Sequence, residues 1–82
     1  MKISLIKSTN DKDSFNLMKN IGFNVIELEN LEETDNKLQE LINNDYKTIF
    51  LTNEVASFSE NIIKKYYKTG DIKIIITPSK KS

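Results

Sequence analysis

Three consecutive apolar residues, Ile49, Phe50 and Leu51, sit in the stretch 47–56, which reads Lys-Thr-Ile-Phe-Leu-Thr-Asn-Glu-Val-Ala. A strand sends successive side chains to opposite faces, so an unbroken apolar run suits a strand covered on both sides. Thr52 and Asn53 follow at once. Their side chains can accept from the orphan amides of a first helical turn, and Glu54 suits the positive end of the helix dipole. The stretch therefore predicts a central strand that passes directly into a helix.

Weaker versions of the same step flank it. Residues 2–6 alternate Lys, Ile, Ser, Leu, Ile and predict a strand, followed by a polar loop over 7–11. Phe15, Leu17, Met18 and Ile21 recur at helical spacing and predict a helix over 12–21, closed by Gly22. Residues 23–28 predict a second strand, with Phe23, Val25 and Leu28 towards the core and Glu27 at the rim. Asn30 and Glu33 have the spacing of a capping pair ahead of a helix over 31–43, whose apolar stripe is Leu31, Leu38, Leu41 and Ile42. Asn44 and Asp45 then turn the chain into the central strand. One long helix over 54–68 should follow, carrying Val55, Phe58, Ile62, Ile63, Tyr66 and Tyr67 and capped by Gly70. Residues 72–77 predict the last strand, and Pro78 removes a ladder donor and ends it. A single domain over 1–78 and a short basic tail over 79–82, expected to fray, complete the reading.

Short connections between strands that alternate with helices leave no place for hairpins, so the strands should be parallel and joined by right-handed crossovers. The expected fold class is α/β: a small four-stranded parallel sheet in the order 2-1-3-4, with three helices on its two faces and a receiver- or flavodoxin-like topology. Its switch point lies between the first and third strands, where residues 7–11 and 52–54 would line a crevice.

That crevice lacks the groups most chemistries need. Lys7-Ser8-Thr9-Asn10-Asp11 contains no glycine, so neither a dinucleotide fingerprint nor a phosphate-cradling P-loop is present. A phospho-receiver needs an Asp at the end of the central strand, where this chain has Thr52-Asn53. Asp11 and Asp13 suit the first turn of a helix, where negative charge offsets the dipole. Glu27, Glu29, Glu32 and Glu33 read as a solvated face rather than a fixed cation site. Lys64-Lys65 and Lys80-Lys81 read as solubilising pairs.

Composition narrows the function further. The 82 residues include no Cys and no His, which removes disulfides, the common zinc sites and the usual general base at neutral pH. No nucleophile and base can be paired, so no catalytic residue, cofactor or metal is expected. Twelve Lys balance twelve Asp and Glu without clustering, so the electrostatic footprint of nucleic-acid binding is missing. Apolar runs reach only three residues, far short of the ~20 that a spanning helix needs. Residues 1–6 run straight into a strand rather than a signal-peptide pattern. A chain of this size buries only about 60–65 % of its unfolded surface and has little stability to spare.

Taken together, Thr48-Ile-Phe-Leu-Thr-Asn-Glu-Val-Ala56, the long helical pattern after it and Ile74-Ile-Ile-Thr-Pro-Ser79 resemble the F subunit of the A-type and V-type rotary ATPases. The opening Met1-Lys2-Ile3, with a helix that holds Phe15 and ends near Gly22, is similar too, so the resemblance spans essentially the whole chain. It implies a non-catalytic component of the central rotor stalk that binds the coiled-coil D subunit and modulates ATP hydrolysis or synthesis. It also implies a cytoplasmic location, peripheral to the membrane in the soluble V1 or A1 sector. Two departures stand out. Family members carry Gly-Asp after the first strand where this chain has Lys7-Ser8, and they continue past Pro-Ser into a linker and a mobile helix. Regulation by head contact is therefore not carried over.

Partner docking requires an apolar patch with a polar rim. Phe58, Tyr66 and Tyr67 are the candidate partner-binding residues, because one helix cannot bury all of its large apolar side chains on one stripe. The last strand, an edge in the expected order, is the other candidate surface. The competing reading is a free-standing receiver-like regulatory or protein-binding module without phosphotransfer.

Overall fold

The computed structural model of the chain describes residues 2–80, so Met1 and the end of the basic tail, Lys81 and Ser82, lie outside the described residues. Strands β1 (Ile3–Ser8), β2 (Asn24–Leu28), β3 (Thr48–Thr52) and β4 (Lys73–Thr77) form one sheet in the order β2-β1-β3-β4. Every neighbouring pair is parallel. Helices α1 (Asn16–Asn20), α2 (Thr34–Asn43), α3 (Asn53–Ala56) and α4 (Glu60–Thr69) fill the connections, with a 3-10 turn at Leu31–Glu33 leading into α2. The α/β class and the strand order are as expected from the sequence, with four helices where three were expected.

The register sorts the strand side chains into two layers. Ile6, Ile26, Leu28, Ile49, Leu51 and Ile74 share one face, and there they meet Leu38 and Leu41 of α2, Val55 and Ala56 of α3, and Ile72. Half-buried Ile62, Ile63 and Tyr66 of α4 pack against this core. Leu5, Val25, Phe50 and Ile75 lie on the opposite face. Leu5 is fully buried there, and the Phe23 and Phe50 rings stand 5.4 Å apart. Ile49, Phe50 and Leu51 thus supply both layers from consecutive positions, as a strand with two covered faces must.

The helices depart from expectation where side chains compete with the backbone. Asp11 Oδ1 accepts from the Asp13 amide at 2.9 Å, and Asp13 Oδ1 accepts from the Phe15 amide at 2.9 Å. Two successive turns of this kind offer the chain an alternative to helix. Phe15 then adopts a left-handed conformation, φ 53°, and α1 starts only at Asn16. Asp11 and Asp13 therefore precede the helix instead of occupying its first turn. The shortened helix also changes the predicted stripe: Phe15 is buried, but Leu17 and Ile21 are exposed. Gly22 closes α1 as expected, with φ 106° and amide bonds from Gly22 to Lys19 O and from Phe23 to Met18 O.

The long helix expected over 54–68 is broken into α3 and α4. The Ser57 hydroxyl donates to Glu54 O at 2.7 Å, the carbonyl that the Phe58 amide would use in a continuous helix. Phe58 and Ser59 donate instead to Val55 O and Ala56 O, three residues back. Ser59, buried, turns its hydroxyl to Asp35 Oδ1 of α2 and so ties the two helices together. Asn30 caps as predicted, accepting from the Glu32 amide at 3.0 Å, but Glu33 accepts from Asn36 rather than reaching back.

Candidate functional site

The carboxyl end of the sheet is where open α/β folds place ligands. The switch point between β1 and β3 is present in this fold, but Lys7 and Ser8, expected in its first loop, belong to β1, and β3 passes at Asn53 directly into α3 without a loop. Lys7, near the end of β1, is only 4 % exposed. Its ammonium donates to Asp11 O at 3.0 Å and to Asp13 O, and lies 6.0 Å from the centre of the Phe15 ring. An internal cation thus organises the loop, gathering main-chain carbonyls as a bound metal ion would. Among the described residues, the ion pair found within 4 Å is Lys37 with Glu40, on the surface of α2.

Asp11 is 7 % exposed. Its Oδ1 accepts from the Asp13 amide and from the Lys80 amide at 3.3 Å, while Oδ2 is buried with no hydrogen-bond partner. The Lys12 amide in turn donates to Lys80 O at 2.9 Å. Ser79 accepts at its hydroxyl from the Glu54 amide, 3.0 Å away, at the start of α3. Thr52 Oγ1 accepts from the Val55 amide at 3.5 Å. Residues 79 and 80, expected to fray, run across the end of the sheet and close the crevice that 7–11 and 52–54 were expected to leave open.

A second feature lies beside it, along the β4 edge of the sheet. A shallow groove of about 300 Å³ runs between α3, α4 and β4, lined by Ala56, Glu60, Ile63, Lys64 and Ile76. Ile76 belongs to the edge strand and is 50 % exposed. Helical geometry puts Glu60, Ile63, Lys64 and Tyr67 on one arc of α4, so Tyr67 extends the groove wall by a turn. Tyr67 is 84 % exposed.

The three residues singled out in the sequence do not form one cluster. Phe58 sits in the turn between α3 and α4 and is 46 % exposed. Tyr66 packs against the core, accepts from Gln39 Nε2 at 3.4 Å, and carries the Lys65 ammonium 5.5 Å from its ring centre. Tyr67 points away from it. Sequence reasoning gave Lys7 to a polar loop, named the last strand as a surface without singling out Ile76, and gave Ser79 to a tail expected to fray. A lysine directly after the run Leu5-Ile6 was the available signal for the first. The run Ile74-Ile75-Ile76 in an expected edge strand was the signal for the second.

Among the described residues, no three acidic side chains converge as metal ligands, and no helix is long and apolar enough to cross a membrane.

Comparison with known proteins gives a consistent family. The family model described as ATP synthase (F/14-kDa) subunit matches residues 8–82. Two proteins named as the F subunit of V-type ATP synthase, from the Eklund 17B / Type B and Alaska E43 / Type E3 strains of Clostridium botulinum, are each 35 % identical over 69 residues. That alignment covers 84 % of this chain and 67 % of each relative. No solved structure gives a significant match. With the family model spanning nearly all of the sequence, and relatives 35 % identical over most of its length, the chain belongs to the family of ATP synthase F subunits.

Proposed function

We propose that this protein is a non-catalytic rotor component of a V-type or A-type ion-translocating ATPase, where it binds the coiled-coil D subunit and modulates ATP hydrolysis or synthesis. The observation that carries the reading is the family match over residues 8–82. The structure is in keeping with it. The switch-point crevice is crossed by residues 79 and 80. The same match favours the rotor over a free-standing receiver-like module. As part of the V1 or A1 sector the protein would be cytoplasmic and peripheral to the membrane.

The surface proposed for the partner is the outer arc of α4 with the β4 edge, where Tyr67 and Ile76 expose apolar area beside the groove, and Phe58 is the outlying third anchor. Large amphipathic rings are effective anchors because they bury area at low entropic cost. Tyr66 contributes from behind, by holding α4 on the core.

The test is size-exclusion chromatography with light scattering, mixing the chain with the D subunit from the same source. A stable one-to-one complex is expected. Tyr67→Ala should weaken it at least ~tenfold without altering the circular dichroism spectrum, whereas Tyr66→Ala should lower both binding and stability. A folded chain that forms no complex at low salt would refute the rotor assignment. Undiminished binding by a Phe58→Ala/Tyr67→Ala double variant would move the interface elsewhere.

A further inference from the structure

We propose that residues 78–80 form a detachable strap, with Asp11 as its catch, that opens and closes over the carboxyl end of the sheet while the rest of the domain stays folded. Three hydrogen bonds close it: Glu54 N–H to Ser79 Oγ, Lys80 N–H to Asp11 Oδ1, and Lys12 N–H to Lys80 O. They tie the exit of the edge strand to both sides of the switch point, so one short segment spans β4, α3 and the loop after β1.

Two features make the closed state easy to leave. No apolar side chain anchors it, since Pro78 and Lys80 are exposed and Ser79 is half-buried. The closed state also holds Asp11, the strap's catch, with Oδ2 buried and without a hydrogen-bond partner. In addition, opening returns conformational freedom to three residues. Segments held by a few exposed hydrogen bonds and no buried apolar area belong to the low-stability end of a native structure. Opening releases Asp11 Oδ1 and the amides of Lys12 and Glu54, and it frees the edge strand's outgoing chain from the loop after β1.

The test uses the full chain. Lys80 contributes only its main-chain N–H and C=O to the strap, and the sequence contains no Cys, so Lys80→Cys supplies a unique thiol without removing a contact. A nitroxide attached there should broaden the amide resonances of Lys12 and Asp13 strongly. In the unlabelled protein, hydrogen exchange at the Lys12 and Glu54 amides should be at least ~100-fold faster than at the amides of β3, as sub-global opening requires. Ser79→Ala should speed exchange at Lys12 by about fivefold, the effect of one lost hydrogen bond, although residue 79 does not touch Lys12. Asp11→Ala should do the same and weaken the broadening.

Sharp Lys12 and Asp13 signals in the labelled protein would show that the strap is not docked. Exchange at Lys12 and Glu54 as slow as in β3 would show that it opens only with global unfolding. Exchange at Lys12 indifferent to Ser79→Ala would show that the segment does not act as a unit. Each of these overturns the proposal, and the Ser79 variant keeps it testable if Asp11→Ala fails to fold.

Discussion

Replacing Lys7 by Met tests whether the internal cation holds the loop after β1. Methionine keeps an unbranched stem of similar length and removes the ammonium. Two carbonyls, those of Asp11 and Asp13, lose their donor, and the Phe15 ring loses its cation. A buried acceptor left unsatisfied costs about 1–3 kcal/mol, and a partly buried cation–π contact about 1 kcal/mol. Relief from burying the ammonium offsets part of this, because moving a charge out of water is itself unfavourable by several kcal/mol. The expected net loss is about 2–3 kcal/mol. A domain of this length has roughly 4–12 kcal/mol in total, so the loss is large, and about 10–20 °C in Tm should go with it. Urea unfolding followed by circular dichroism measures it. Lys12→Met, at an exposed position in the same loop, is the control and should stay within about 0.5 kcal/mol of the parent. A Lys7→Met protein as stable as the control would refute the reasoning, since the carbonyls would then be satisfied without the lysine.

Three further outcomes are expected. Gly70→Ala should destabilise by about 1 kcal/mol through backbone conformation alone, because φ is 73° and an added Cβ would meet nothing within 4 Å; unchanged urea midpoints would contradict this. Asp45→Gly should act in the opposite direction, by about 0.5 kcal/mol. Asp45 takes φ 67° after α2, with amide bonds from Asp45 to Ile42 O and from Tyr46 to Leu41 O, the position where glycine is preferred. Leu38→Ala removes a fully buried side chain at the centre of the core and should cost about 2–5 kcal/mol, seen as a fall of about 10–40 °C in Tm in a thermal scan.

Much of the fold was legible because it depends on local patterns. Ile49-Phe50-Leu51 announced a strand with two covered faces, and Gly22 and Gly70 marked helix ends that do lie in the left-handed region. The helix interiors were less legible. Phe15, Leu17, Met18 and Ile21 keep helical spacing, yet Asp11 and Asp13 draw the preceding amides into their own turns and leave a helix too short to bury the stripe. Val55 to Tyr67 also keeps the period of one helix, yet Ser57 and Ser59 break it, one by taking a carbonyl and the other by reaching α2. Periodicity reports which residues suit a helix, while the side chains of Asp and Ser compete for the backbone groups that would complete it.

The candidate surfaces divide in the same way. Aromatic residues on the last helix were visible as anchors, but their directions were not. A shift of one position turns a side chain by about 100° on a helix, which separates core-facing Tyr66 from exposed Tyr67. By itself the sequence determined the strand–helix alternation, the parallel sheet and the order of its strands, since each follows from local pattern and short connections. Only the tertiary structure decided that Lys7 lies inside the loop, that Asp11 meets Lys80 from 69 positions away, and that Ser79 caps a helix it does not precede. Those contacts join segments that the sheet order brings together, and no local pattern encodes a hydrogen bond whose partners become neighbours only after the strands have paired.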